Sequence, residues 1–363
     1  MPDFTIKTYK TLLQTLKDAG YRFITFEKYM KEKNPNFEIN NPLPITRHPL
    51  PTIILRHDVD LLPQNSLAFA RIQHEMGIVG SYYFRAVPES WDEEIIKEIH
   101  NLGHEVGYHY EDMDLIARKM ENGKWKMEKT AETQSRIDDF KEIKEKEKTK
   151  TEQSHSNEKS GLQSPHTPYP IPQTPHPSHS ALAIESFRRN LEKLRHLVPV
   201  STICMHGSPR SRYDNRDLWK NYDYREYGII GEPYFDVDFN EMFYLTDTGR
   251  RWDGWRVSIR DKMPQQQEWI RQGLVFRSTR EIIQRLKHKD FPASAGSGNV
   301  HSHQHHPTPA GSGMVRIEFP TRLMITFHPQ RWTDKPFPWF KELVMQTAKN
   351  SVKFLLNLRR DSQ

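Results

Sequence analysis

The chain has 363 residues, enough for one large α/β domain or two ordinary ones, and only 35% of them are hydrophobic. A formal net charge of +6 would attract acidic polysaccharides, nucleic acid or anionic surfaces, but the charge is spread out and no groove-reading motif accompanies it. The single cysteine, Cys204, excludes an internal disulfide, and no apolar stretch approaches the roughly 18 residues of a membrane span. Because the first residues also lack the pattern of a signal peptide, we expect a cytoplasmic protein with neither a nucleic-acid partner nor an obligate protein partner.

The predicted elements begin with a helix whose apolar residues recur at helical spacing, namely Leu12, Leu13, Leu16 and Ala19. Gly20 ends this helix, and the short strand YRFITF follows it. Residues 34–51 are rich in Asn and Pro and predict a loop. We assign residues 1–50 to an N-terminal helix–strand extension.

From residue 51 onwards, predicted strands alternate with predicted helices. The first strand is PTIILRHDVD, and the helix NSLAFARIQHEMG follows with Asn65 as its expected N-cap. Further strands are GSYYFRAV, HEVGYH, VPVSTICMHG and RLMITFHP, separated by helical patterns, and EWIRQGLVF with STREIIQRLKHK predicts another such unit. This alternation predicts a single-domain α/β fold over residues 51–363, a (β/α) barrel of seven or eight strands, closed or incomplete.

Two polar stretches interrupt that pattern. Residues 141–180 combine a charge run with a segment rich in Pro, Ser and His, and residues 292–313 are rich in Gly, Ser, Pro and His. Neither stretch can bury enough apolar surface to offset the entropy of ordering. We therefore expect two disordered surface insertions.

The sharpest motif is RHDVD, in which Arg56, Asp58 and Asp60 share one face of a strand end. Two carboxylates on one face repel each other unless a cation lies between them. The motif therefore predicts a metal or catalytic centre, with a structural ion pair to Arg56 as the alternative. His57 points to the opposite face and is expected either to pack in the interior or to support the site from behind its ligands.

Three histidines also end predicted strands. In GHEVGYHYED, His109 is the candidate metal ligand, Asp112 lies close enough to share the ion, and His104 is expected to be structural. In MHGSP, His206 is a candidate ligand, with substrate contact or a structural role left open. In ITFHPQRW, His328 can deliver a proton near neutral pH.

Parallel topology collects the carboxyl ends of all these strands at one rim, where barrel active sites form. The charged loop DTGRRWDG, with Asp247, Arg250, Arg251 and Asp253, is expected near the same rim. The predicted cofactor is a divalent metal ion, namely zinc. Candidate substrate contacts are Arg56, Arg331 and Trp332.

These motifs resemble those of the polysaccharide deacetylase family, carbohydrate esterase family 4 with its NodB-homology domain, in a divergent RHDVD-type form. The resemblance covers roughly residues 51–345 without the insertions. It implies that Asp58 is the general base, Asp60 and His109 are metal ligands, and His328 is the general acid. The family's second metal histidine would fall at Met113, so Asp112, Glu111 or His206 would have to replace it.

The function implied is hydrolysis of acetyl groups on N-acetylated or O-acetylated sugars, with a carbohydrate as the substrate. Met113 favours one alternative, a catalytically degenerate relative that binds a glycan. A second alternative is a metal-independent glycoside hydrolase that uses paired carboxylates. A third is a basic protein that binds polyanions and loses affinity steeply with salt.

Overall fold

A computed structural model of the chain describes residues 2–33, 50–121, 178–208, 211–256, 263–287 and 319–361. Apart from residues 178–180, the two predicted insertions lie outside these ranges, and so does most of the predicted loop 34–51. The described residues form an α/β structure on a curled, parallel sheet, as the alternation of strands and helices predicted. None of the described helices combines the length and hydrophobicity needed to cross a bilayer.

Seven strands form the sheet within the described ranges: β1 (Arg22–Ile24), β2 (Thr52–Val59), β3 (Ser81–Phe84), β4 (Glu105–Tyr110), β5 (Ile203–Met205), β6 (Phe243–Thr246) and β7 (Arg322–Phe327). They run in the order β5-β4-β3-β2-β7-β6, and every pairing is parallel. Strand β1 is not part of this order. It pairs with residues 52–54 of β2, along the same side of β2 that pairs with β3 from residue 56 onwards. Because no ladder in the described residues joins β5 to β6, the sheet is an incomplete barrel.

The helices lie between and around these strands. Their bounds are α1 (Ile6–Asp18), α2 (Phe26–Lys33), α3 (Pro63–Glu75), α4 (Glu93–Asn101), α5 (Asp112–Glu121), α6 (His179–Arg195), α7 (Pro233–Asp236), α8 (Gln266–Arg271), α9 (Thr279–Lys287) and α10 (Pro336–Asp361). Short 3-10 helices span Asn215–Lys220, Tyr224–Tyr227, Gly254–Arg256 and Pro329–Arg331.

Helix α1 is the helix that the leucine spacing predicted. The Thr5 hydroxyl accepts a hydrogen bond from the backbone N–H of Thr8, which satisfies one of the unpaired donors of the first turn. Gly20 follows the helix in the left-handed region, at a φ of +78°, where glycine pays no steric penalty. The apolar face of α1 is buried, and its members are Tyr9, Leu12, Leu13 and Leu16.

Strand β2 is buried on both faces, as expected for an inner parallel strand. His57 lies on the face opposite Asp58, with its ring stacked on Tyr82 at 4.1 Å between centroids. Its Nδ1 lies 3.1 Å from the carbonyl oxygen of Ser81 and its Nε2 lies 2.9 Å from Nε2 of Gln73. The predicted packing role of His57 is therefore confirmed.

Two details of the predicted elements are wrong. Helix α3 begins at Pro63, which favours the first helical position, so Asn65 lies inside the helix instead of capping it. The Asn65 side chain instead donates to the carbonyl of Pro329. The second concerns the unit predicted from EWIRQGLVF and STREIIQRLKHK. Residues 263–287 contain the helices α8 and α9 but no strand; the strand that precedes them is β6, the short run FYLT.

The buried His57 predicts an acid-sensitive fold. Burial lowers the pKa of His57 from 6.5 to about 3, so between these values the unfolded chain binds one proton that the folded chain does not. The free energy of unfolding should therefore fall as the pH drops below 6.5, by up to ~1.4 kcal/mol per pH unit from this group. Urea unfolding at several pH values should show a steeper loss for the unchanged chain than for His57→Gln; equal slopes would contradict the assignment.

Candidate metal centre

The polar side chains predicted to meet do meet at the carboxyl edge of the sheet. The Oδ1 atom of Asp60 lies 3.6 Å from Nε2 of His109 and 3.6 Å from Nε2 of His206. The Oδ2 atom of Asp60 lies 3.9 Å from Nε2 of His328, and Nε2 of His109 lies 3.9 Å from Oδ2 of Asp58. Strands β2, β4, β5 and β7 thus deliver five candidate residues to one small volume.

Asp60, His109 and His206 form a group of three donors with the spacing of a metal site. Their ligand atoms all lie within 4.8 Å of one another. Two ligands bound about 2.1 Å from a tetrahedral zinc ion are roughly 3.4 Å apart, close to the 3.6 Å separations observed here. Oδ1 of Asp60 is buried and accepts no hydrogen bond, which is costly for a carboxylate unless a cation faces it. These residues therefore fit a divalent ion.

His109 is oriented by the backbone of the neighbouring strand. Its Nδ1 lies 2.9 Å from the carbonyl oxygen of Cys204, so the proton belongs on Nδ1 and the lone pair of Nε2 faces Asp60. Gly107 precedes His109 on the same face of β4 and lies opposite Tyr83. A Cβ at Gly107 would overlap the Tyr83 ring, so the motif GHEVGYH needs glycine at this position.

His206 is oriented by a buried carboxylate. Its Nδ1 lies 3.1 Å from Oε2 of Glu111, which directs Nε2 toward Asp60. Nε of Arg85 donates to the other oxygen of Glu111 at 2.6 Å, and Nη1 of Arg85 donates to the carbonyl of Asp60. A carboxylate behind a ligating histidine fixes the tautomer and raises the basicity of the ring. Glu111, one of the candidates to replace the family's second histidine, thus supports His206.

The electrostatics favour a cation at this group. Burial alone would raise the pKa of Asp60, but His109, His206 and His328 outweigh burial and hold the pKa well below its usual value. Burial alone would lower the pKa of His109, but Asp58 and Asp60 raise it. The surroundings of His109 therefore stabilise positive charge, which a bound divalent ion can supply in place of a proton.

A second group of three donors overlaps the first. Asp58, His109 and Cys204 also have ligand atoms within 4.8 Å of one another, and all three side chains are buried. However, Oδ2 of Asp58 already accepts a hydrogen bond of 3.0 Å from Nη2 of Arg56. The group around Asp60 contains no such internal cation, so it is the better candidate for the ion.

Asp58 and Arg56 form a buried ion pair beside that group. Burial alone would raise the pKa of Asp58, but Arg56 and His109 outweigh it and lower the pKa, so Asp58 is a carboxylate at neutral pH. The Arg56 side chain is 2% exposed, and its Nη2 is also 3.3 Å from the hydroxyls of Tyr234 and Tyr244. Arg56 therefore lies behind Asp58, which does not favour its predicted role as a substrate contact.

His328 is paired with Asp247, which the sequence predicts only near the rim. Nδ1 of His328 lies 2.5 Å from Oδ1 of Asp247, which directs Nε2 toward Asp60. Burial alone would raise the pKa of Asp247, but His328 and Arg331 lower it. The signal was available, because Asp247 directly follows β6 just as Asp60 follows β2.

The predicted substrate contacts Arg331 and Trp332 also lie behind the centre. Nη1 of Arg331 donates to Oδ1 of Asp247 at 3.1 Å, and Nε1 of Trp332 donates to Oδ2 at 2.6 Å. Trp332 is buried in an aromatic cluster with Tyr9, Phe69 and Phe327. Both residues therefore hold Asp247 in place, a position that does not favour direct contact with a substrate.

Asp112 does not join the metal-ligating group. Its two oxygens accept hydrogen bonds from Tyr108 and Ser186, each at 2.7 Å, and from Asn190 at 2.8 Å. Burial raises the pKa of Asp112 to about 6. Met113, at the place of the family's second histidine, is buried in the core. His206 thus stands where a third ligand is needed, and the geometry favours a structural role for Asp112.

Comparisons of the chain with protein-family models, with curated proteins and with solved structures found no match.

The geometry predicts which substitutions weaken zinc binding. His206→Ala removes a ligand and should abolish tight binding, whereas Glu111→Gln should weaken the affinity by about 10- to 100-fold through the orientation of His206. Asp112→Asn is the matched control, because it removes a neighbouring carboxylate without touching the group, and its affinity should match the unchanged chain. Competition with a chromogenic zinc chelator measures all three, and loss of binding in Asp112→Asn alone would overturn the ligand set.

Proposed function

We propose that this chain is a zinc-dependent hydrolase that removes acetyl groups from N-acetylated or O-acetylated sugars of a polysaccharide or glycan precursor. The observation that carries the proposal is the group of Asp60, His109 and His206 flanked by the carboxylate of Asp58 and the carboxylate-paired His328. Two imidazoles and one carboxylate are the donor set of catalytic zinc sites with an open position.

Asp60, His109 and His206 would hold the ion, which when bound supplies a Lewis acid and a water of pKa near ~7. Two imidazoles and one carboxylate also hold Fe(II) in oxygenases, so metal analysis of the purified chain distinguishes the two chemistries. The resemblance of RHDVD and GHEVGYH to the deacetylase motifs favours hydrolysis over oxidation.

Asp58 would act as the base. Its Oδ2 is held by Arg56 at 3.0 Å, while its Oδ1 is buried and accepts no hydrogen bond. That second oxygen remains to accept the proton of the attacking water. Arg56 keeps the side chain deprotonated and fixes its orientation, as the lowered pKa of Asp58 indicates.

His328 would act as the acid. The Asp247 carboxylate, which is fully buried, lies 2.5 Å from Nδ1 of His328 and leaves Nε2 as the atom that can deliver a proton. In the reaction, the water oxygen forms a bond to the acetyl carbon and its proton passes to Asp58. The bond to the sugar nitrogen or oxygen then breaks, and that atom takes the proton of His328. The products are acetate and a deacetylated sugar.

Replacing the base tests the first role. Asp58→Asn should lower the rate of acetate release from N-acetylglucosamine oligomers by roughly 10²- to 10⁴-fold, because the amide cannot take a proton. The variant should still bind zinc, since Asp58 lies outside the preferred ligand set. Acetate is measured by a coupled enzymatic assay on zinc-loaded protein, and an undiminished rate in this variant would refute the assignment.

Replacing the carboxylate behind His328 tests the second role. Asp247→Asn should lower kcat by roughly 10²- to 10⁴-fold, because the amide no longer holds Nδ1 of His328 as the carboxylate does and the ring loses its orientation. KM and zinc affinity should change little, because Asp247 contacts neither the ligand group nor, in this scheme, the sugar. A variant that loses zinc instead of turnover would contradict the role given to Asp247.

The same assays separate the alternatives. A catalytically degenerate relative would bind the oligomers, as calorimetry can show, without releasing acetate in the presence of zinc. A glycoside hydrolase would release reducing ends and keep its rate after treatment with a chelator. The proposed hydrolase should release acetate alone and lose its rate on chelation.

A further inference from the structure

Helix α10 turns an apolar face toward solvent. Phe337, Phe340 and Val344 are 77%, 60% and 50% exposed, and their spacing of three and four residues places them on one side of the helix, here called the outer face. The opposite side is anchored: Nε1 of Trp339 donates to the carbonyl of Asp3 at 2.8 Å, and Gln346 is buried. Contiguous apolar surface of this kind marks a site of interaction.

A cationic cleft lies beside this helix. It has a volume of about 850 Å³ and is lined on one side by the loop after β6 and on the other by α10. The charged residues of its lining are four arginines and one aspartate, a net charge of +3: Arg250, Arg251, Arg256, Arg277 and Asp253. Leu343 of α10 lines the cleft and is itself 36% exposed, so the cleft and the apolar helix form one continuous surface.

The cleft is built by a strained loop that is fixed to α10. Gly249 and Arg250 both adopt left-handed backbone conformations, at φ values of +71° and +59°. A Cβ at Gly249 would lie 2.6 Å from Oδ1 of Asn350, and Nδ2 of Asn350 donates to the Gly249 carbonyl at 2.8 Å. Arg250 is held against the ring of Trp339, 4.3 Å from its centroid, and donates to the Trp339 carbonyl. Around this wall, Arg251 and Arg256 share the Asp253 carboxylate, with Nε atoms 2.8 and 3.5 Å from its oxygens, and Arg277 is exposed.

We propose that the outer face of α10 and the cationic cleft dock this chain on an anionic bilayer, with a lipid phosphate in the cleft. Guanidinium groups match the geometry of phosphate, and aromatic and aliphatic side chains with nearby basic residues are typical of helices that lie in the membrane interface. The sequence of α10 carries five Lys or Arg residues against two acidic ones.

Charge favours the bilayer over a second copy of the chain. A symmetric pairing through this surface would bring two clefts of charge +3 together, in molecules that each carry a net charge of +6. An anionic headgroup layer instead neutralises the charge of the cleft and the net charge of the chain. Each basic residue near that layer strengthens the attraction.

Vesicle sedimentation of the full chain tests the proposal. The chain should pellet with vesicles of phosphatidylglycerol and phosphatidylcholine and stay in solution with phosphatidylcholine alone. Phe337→Asp combined with Phe340→Asp should abolish pelleting, and Arg251→Gln combined with Arg277→Gln should weaken it by roughly tenfold or more. Leu50→Asp is the matched control and should pellet like the unchanged chain. Leu50 is 62% exposed, but it precedes β2 and so lies at the amino edge of the sheet, opposite to the carboxyl edge.

Four outcomes would overturn this proposal. Equal pelleting with both vesicle types would show that the lipid charge does not contribute to binding. Unchanged pelleting of the double phenylalanine variant would show that the outer face of α10 does not bind the bilayer. A chain that ignores vesicles but dissociates from dimer to monomer in that double variant, as sedimentation velocity would reveal, would assign the face to self-association. Binding of inorganic pyrophosphate without vesicle binding would assign the cleft to free phosphates.

Discussion

The constraint on which the centre depends is the repulsion between carboxylates brought to the end of one strand. Asp58 lies at the end of β2 and Asp60 directly follows the strand at the carboxyl edge of the sheet; Asp58 is buried and so is Oδ1 of Asp60, so neither charge can be left uncompensated. The chain compensates them differently. Arg56 neutralises Asp58. Oδ2 of Asp60 accepts a hydrogen bond from the Gln330 amide, but its Oδ1 faces Nε2 of His109 and of His206 at 3.6 Å, too far for hydrogen bonds. In the proposed function, that difference assigns the base to Asp58 and a metal ligand to Asp60 within the five residues of RHDVD.

Parallel topology accounts for the rest of the convergence. Each strand that ends at the rim delivers its last inward-facing side chain to the same place, so His109, His206 and His328 meet Asp60 without being close in sequence. Behind each histidine stands an acceptor that fixes its tautomer: the Cys204 carbonyl, Glu111 and Asp247. These outer partners orient the Nε2 atoms of the three histidines toward Asp60.

Much of this could be predicted from the sequence, and the reasons are local. Strand–helix alternation predicted the α/β sheet, the helical spacing of the leucines predicted α1, and strand-end position predicted which histidines meet Asp60. The partners behind those histidines could not be predicted, because the pairing of Asp247 with His328 joins residues 81 positions apart. The choice of His206 over Asp112 and Glu111 as the third candidate ligand likewise depends on the pairing of β4 with β5, which the sequence alone does not reveal.

The identity of the donor atoms around the ion tests the central claim most directly. X-ray absorption at the zinc edge, on zinc-loaded protein, distinguishes nitrogen and oxygen donors from sulfur. The account predicts two imidazole nitrogens and carboxylate or water oxygens at about 2.0–2.2 Å. A sulfur donor at about 2.3 Å would place the ion among Asp58, His109 and Cys204 instead, and would contradict the assignment of Asp60 and His206 as ligands.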